Sequence, residues 1–134
     1  MQDNSHDGKA VEYPSALTFA ETVDRLRNAI THAGLRIFAE IDHAGGAAEA
    51  GLHMDPSMVL IYGSPAGGTP AMQAVPVAAL DLPLRVLIRQ RPDGAVVIAF
   101  HPAEAMLRDD GVPTEIAARL SRAQELLVNA IAPK

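Results

Sequence analysis

The chain has 134 residues, a formal charge of −5, no cysteine, an apolar fraction of 49% and an aromatic fraction of only 4%. That length fits one domain with an aliphatic core. The missing cysteines exclude disulfides, thiolate catalysis and Cys-ligated zinc. The lack of a basic run argues against nucleic acid and anionic membranes as partners. No apolar run reaches membrane-spanning length and no signal-peptide core is visible, so no membrane insertion is expected.

Residues 1–9 read as a disordered terminus, and 10–134 as a single domain. Ala10 to Tyr13 predicts a short strand before Pro14. Thr18 to Glu21 is a capping-box pattern opening a helix. Phe19, Val23, Leu26, Ile30 and Ala33 then step along one helical face, and Gly34 fits the left-handed position that ends it. From Leu35 to Asp42 the pattern alternates, so Leu35, Ile37, Ala39 and Ile41 are expected on one face of a strand. Ala44 to Ala50 predicts a short helix ended by Gly51. Met58 to Tyr62 is continuously apolar, as in a central strand covered on both faces.

The stretch from Leu60 to Pro76 is the most particular about backbone shape. A strand opens into Gly63-Ser64-Pro65-Ala66-Gly67-Gly68, and Thr69-Pro70 reads as an N-cap with proline at the first helical position. Val77 to Leu80 fits one further turn. Leu84–Gln90 and Ala95–Phe100 predict a hairpin through Arg91-Pro92-Asp93-Gly94. Ala103–Arg108 fits a short helix. The last helix runs from Pro113 to Ile131, with Ile116, Leu120, Ala123, Leu127 and Ile131 as its apolar stripe. The hairpin favours an α+β fold over a doubly wound one: a mixed or antiparallel sheet with a C-terminal hairpin, covered on one face by two longer amphipathic helices.

Three blocks carry a resemblance. They are Phe38-Ala39-Glu40-Ile41-Asp42-His43-Ala44, then Leu60-Ile61-Tyr62-Gly63-Ser64-Pro65-Ala66-Gly67-Gly68-Thr69-Pro70-Ala71-Met72-Gln73, then Leu80-Asp81-Leu82-Pro83-Leu84-Arg85-Val86. In that order they resemble the DUF302 family of uncharacterised bacterial domains, from about Thr18 to about Arg108. Ser64 stands where the family usually has Asn, Tyr62 where it has Phe and Ala71 where it has Leu. The resemblance implies a small α+β domain that assembles as a homodimer. It names no reaction, so enzymatic activity is left open.

The candidate site combines Asp42 and His43 with Gly63, Ser64, Gly67, Gly68, Thr69 and Gln73. The glycine loop exposes backbone amides ahead of a helix, which suits a small ligand or an anion; the plainer reading is a rigid turn pinned by Pro65 and Pro70. It matches neither the P-loop nor the dinucleotide fingerprint. His43, with Asp42 orienting it, suits a metal ligand or a general acid/base; alternatively Asp42 caps the next helix. His101 ends another strand. If it meets His43, the pair with Asp42 offers a site for a divalent metal such as zinc. Arg85, Arg89 and Arg91 read as a solvated face or as partners of acids across a dimer interface. No G-x-S-x-G elbow accompanies any serine. The expectation is a soluble homodimeric module for a small ligand or anion, with a divalent-metal protein or metal-dependent enzyme as the alternative. Cytoplasmic placement is favoured, with the periplasm as the alternative if the terminus is processed.

Overall fold

The computed structural model describes residues 9–133; of the terminus 1–9 expected to be disordered, residues 1–8 lie outside the described residues and Lys9 precedes the first strand without regular structure. In chain order the elements are β1 (Val11–Ser15), α1 (Phe19–His32), β2 (Arg36–Asp42), α2 (His43–Glu49), β3 (Ser57–Gly63), α3 (Pro65–Ala74), a 3-10 helix (Pro76–Asp81), β4 (Leu84–Gln90), β5 (Val96–Phe100), α4 (Ala103–Asp109) and α5 (Thr114–Ile131). The strands form one sheet in the order β1-β5-β4-β3-β2, and every neighbouring pair is antiparallel. This is the expected α+β architecture.

Local chemistry sets the first helix. Thr18 Oγ1 accepts the Glu21 N–H at 3.1 Å, and the Glu21 carboxylate accepts the Thr18 N–H at 3.0 Å, so two donors of the first turn are satisfied reciprocally. At the other end Gly34, with φ +79°, lets the Leu35 N–H return to the Ile30 carbonyl at 3.1 Å. Val23, Leu26 and Ile30 of α1 and Leu120, Leu127 and Ile131 of α5 are buried in one cluster with Leu60, Tyr62, Val86, Ile88 and Ile98 of the sheet. At about 1.5–3 kcal/mol for each large aliphatic side chain, this burial dominates stability.

The alternation expected in β2 is broken. Ile37 lies opposite Tyr62 and Ala39 opposite Ile61, so the register shifts and Phe38 is the extra residue of a bulge. Beyond it the faces exchange. Glu40 lies opposite Leu60 on the helix-covered side, where its carboxylate pairs with Arg27 of α1 at 2.6 Å. Ala39 and Ile41 therefore do not share a face with Ile37. β3 is covered unequally: Leu60 and Tyr62 are fully buried, whereas Val59 and Ile61 on its second face are half-buried. Both sheet edges resist further pairing, β1 through Pro14 and β2 through the bulge.

A second correction concerns α3. It begins at Pro65, capped by Ser64, whose Oγ accepts the Gly67 N–H at 3.0 Å. Thr69 is therefore not its cap, and Pro70 lies inside the helix. The Ser-Pro pair supplies the same cap-and-proline signal as Thr-Pro, five residues earlier.

Candidate functional site

The three sequence blocks converge on one cavity of about 240 Å³ at the end of the sheet. Phe38 comes from the bulge; Gly63, Ser64, Pro65, Gly68, Thr69 and Met72 come from the β3–α3 passage; Leu82, Pro83 and Leu84 come from the entry to β4, and Leu120 closes the wall from α5. Backbone shape makes the room. Gly63 has φ +152°, and a Cβ there would lie 3.9 Å from Pro83 Cβ. A Cβ on Gly68 would sit 3.7 Å from Leu82 Cδ1 and 3.8 Å from Met72 Cε, so the absent side chain is itself part of the space. The Leu82–Pro83 peptide is cis.

The chemistry of the walls is mainly apolar. The first turn of α3 offers little to an anion. Pro65 has no N–H, Gly67 donates to Ser64 Oγ at 3.0 Å, and Gly68 donates to the Ser64 carbonyl at 3.0 Å. Only the Ala66 amide of that turn has no partner among the described residues. The Ser64 hydroxyl retains its proton as a donor. A small, mostly apolar molecule fits this lining better than a phosphate.

The remaining candidates fall elsewhere. Asp42 is the N-cap of α2, accepting the Gly45 N–H at 2.9 Å, and His43 is exposed on the first turn. Gly63 lies opposite Arg36, the first residue of β2, whereas Asp42 is its last. Six steps along the strand separate Arg36 from Asp42, about 20 Å, so the two halves of the expected site are distinct. Gly67 and Gln73 are exposed on α3 outside the cavity wall.

His43 and His101 are not brought together with Asp42 as a metal site. Asp42 shares a row with Met58, Ile88 and Ile98; His43 leaves the sheet beyond that row, and His101 leaves β5 in the opposite direction. Both border a broad depression over the sheet with Asp81 and Arg85. Among the described residues no group of three or more His, Cys, Asp or Glu is placed to hold a metal ion. Arg89 and Arg91 pair with Glu12 of the same chain at 2.9 and 3.1 Å. The Arg89 hydrogen bond, with help from Arg91, holds the Glu12 carboxyl below its usual range.

Sequence reading missed Phe38, Leu82, Leu84 and Leu120 as site residues. The available signal was their presence in, or packing against, the three resemblance blocks. It also missed a carboxyl pair: a proton that Asp110 donates to Asp81, then burial, raises the Asp110 pKa.

The fold and cavity define a small antiparallel α+β domain with a largely apolar pocket between a glycine-rich helix and a strand entry. The chain belongs to the family described as "Domain of unknown function DUF302", whose model matches residues 11–131. A crystal structure of the uncharacterized conserved protein DUF302 from Bacillus stearothermophilus superposes with a TM-score of 0.83 at 17% identity, covering 92% of this chain and 98% of that one. At that identity the likeness is one of fold. Over 95 residues, 71% of this chain, it is 37% identical to the Fluoride-specific ion channel FluC 1 of Brucella suis biovar 1 (strain 1330), covering 37% of that protein. The same identity holds for FluC 1 of Brucella abortus biovar 1 (strain 9-941), with 35% of it covered. The chain thus matches little more than a third of these curated relatives. Among the described residues no helix is long and apolar enough to cross a membrane.

Proposed function

We propose that this domain is a homodimeric binding module for a small, largely apolar ligand held in the Phe38–Gly63–Gly68–Leu82 cavity. The observation that carries this reading is the cavity of about 240 Å³, assembled by all three blocks of the family resemblance. A site that gathers its walls from three separate segments, with glycine at Gly63 and Gly68 keeping it open, is built for an occupant. The glycine loop acts through the space it leaves, and Asp42-His43 is outside the site. Ion conduction belongs to the longer Brucella chains and is not part of this reading.

Self-association is supported by exposed apolar side chains: Leu80 is 77% exposed and Val77 51%, with Phe38 and Ile41 also exposed. Exposed large apolar side chains of this kind suit an interaction surface where they adjoin, as Ile41 and Leu80 do along the depression over the sheet. Native mass spectrometry with octanoate as the probe tests both parts. The expected result is a dimer carrying one octanoate per chain. A monomer, or adducts that grow without saturating, contradicts the reading.

A further inference from the structure

We infer that the ligand is a short monocarboxylic acid whose tail fills the cavity and whose carboxylate is met by Arg36. This deepens the cavity reading and rests on it. Two observations place a cation beside the cavity, although Arg36 is not itself one of its walls. Arg36 lies opposite Gly63 in the β2–β3 ladder, and Gly63 is a wall of the cavity. The Arg36 guanidinium carbon sits 5.6 Å from the centroid of the Phe38 ring, and Phe38 is a second wall. The ring thus has the cavity on its surroundings and a guanidinium over it, a favourable cation–π arrangement that positions the charge.

No carboxylate of the described chain neutralises that charge. Among the described residues Arg36 forms no ion pair; Arg25, Arg85, Arg119 and Arg122 form none either, and what sets Arg36 apart is its place over Phe38, a wall of the cavity. The acids of its own strand are engaged away from it. The bulge at Phe38 turns Glu40 onto the helix-covered side with Arg27, and Asp42 accepts the Gly45 N–H. Beside an apolar cavity, an arginine with no acid partner among the described residues leaves its charge available to a ligand. Its planar fork matches a carboxylate with two parallel hydrogen bonds.

Size narrows the class. A cavity of 150 Å³ takes the six carbons of benzene, so by proportion about 240 Å³ takes about ten heavy atoms. Octanoate, or an aryl acid of similar bulk, has that size. Ser64, whose hydroxyl proton is uncommitted, is the polar group among the walls best placed to add a hydrogen bond.

The test is calorimetric titration of the full chain with octanoate and with 1-octanol at pH 7.5, in low and high salt, using wild type, Arg36→Gln and the exposed control Arg122→Gln. Wild type is expected to prefer octanoate by about tenfold or more at low salt, with the preference shrinking as salt rises. Arg36→Gln is expected to lose the preference while keeping octanol affinity, and Arg122→Gln to change neither. Equal affinity of wild type for the two probes overturns the carboxylate assignment and leaves the cavity reading standing. Unchanged octanoate binding in Arg36→Gln also overturns it. Binding of neither probe overturns both.

Discussion

Gln124 accepts the Ala103 backbone N–H at 2.8 Å through Oε1, and its Nε2 donates to the His101 carbonyl at 2.8 Å. Gln124 is 4% exposed, and α4 has no side-chain cap of its own at Pro102. The glutamine of α5 therefore acts as a cap from a distance, tying the end of β5 to the start of α4. Gln124→Leu is expected to lower stability by roughly 2–3 kcal/mol, because a buried donor and a buried acceptor lose their partner together. Gln124→Glu keeps an acceptor for Ala103 but, when ionised, has nothing to donate to His101. It should be less stable at pH 7 than at pH 4, which chemical denaturation at the two values measures.

Tyr62 presents the opposite case. Its side chain is fully buried, its hydroxyl has no partner among the described residues, and burial pushes its pKa up. A buried hydroxyl without a hydrogen bond costs about 1–3 kcal/mol. Tyr62→Phe should therefore raise the urea midpoint, by about 1 kcal/mol in stability once the lost packing of the oxygen is offset. A fall of similar size would show that the hydroxyl has a partner in solution.

Gly68 and Ser64 act on the same helix with opposite signs. Ser64→Ala removes the cap on Gly67 and should cost about 1 kcal/mol. Gly68→Ala places its methyl in ordinary contact with Leu82 and Met72. Alanine in place of a helical glycine is expected to stabilise by up to about 1 kcal/mol. Gly68→Val carries more bulk into the cavity and should abolish octanoate binding. Thermal melts beside the titration separate that loss from unfolding.

The Asp81–Asp110 pair gives a pH dependence. The Asp110 pKa is raised in the folded chain, so the folded state holds its proton more tightly than the unfolded one. The stabilisation is complete below the unfolded pKa and is lost as pH rises through the folded pKa. Asp110→Asn supplies a permanent donor to Asp81. Its gain over wild type, about 0.5 kcal/mol at a partly exposed site, should be present at pH 7 and vanish near pH 3. Equal gain at both values contradicts the shared proton.

Much of the fold was legible because local signals agreed with the global arrangement. The Thr18–Glu21 capping box, the helical stripe through Val23, Leu26 and Ile30, and the Arg91–Gly94 turn each specify one conformation. The bulge at Phe38 was not legible, since Ile37, Ala39 and Ile41 alternate as a regular strand would. Only the pairing with Tyr62 and Ile61 reveals the extra residue. The start of α3 was misplaced because Ser64-Pro65 and Thr69-Pro70 carry equivalent signals, and the packing of Gly68 beside Leu82 and Met72 goes with the earlier one. The glycine loop stands out in the sequence and lines the cavity, but its partners Leu82 and Leu120 lie far along the chain, and no local pattern marks them. Asp42 and His43 looked like chemistry because an N-cap and an acid/base orienter use the same residue type.

The proposed self-association is assigned to Leu80, the most exposed of the large apolar side chains named above. If the chain is the proposed dimer, Leu80→Glu is expected to make it monomeric in sedimentation equilibrium without changing octanoate affinity. A dimer that persists would remove Leu80 from the interface.

The central claim is that the cavity beside the glycine loop holds the ligand, and methyl NMR during an octanoate titration tests it most directly. The account predicts saturable shifts of the Met72, Leu82, Leu84 and Leu120 methyls with one common dissociation constant, absent in Gly68→Val. Shifts confined to Ile41, Val77 and Leu80, or no shifts at all, would contradict it.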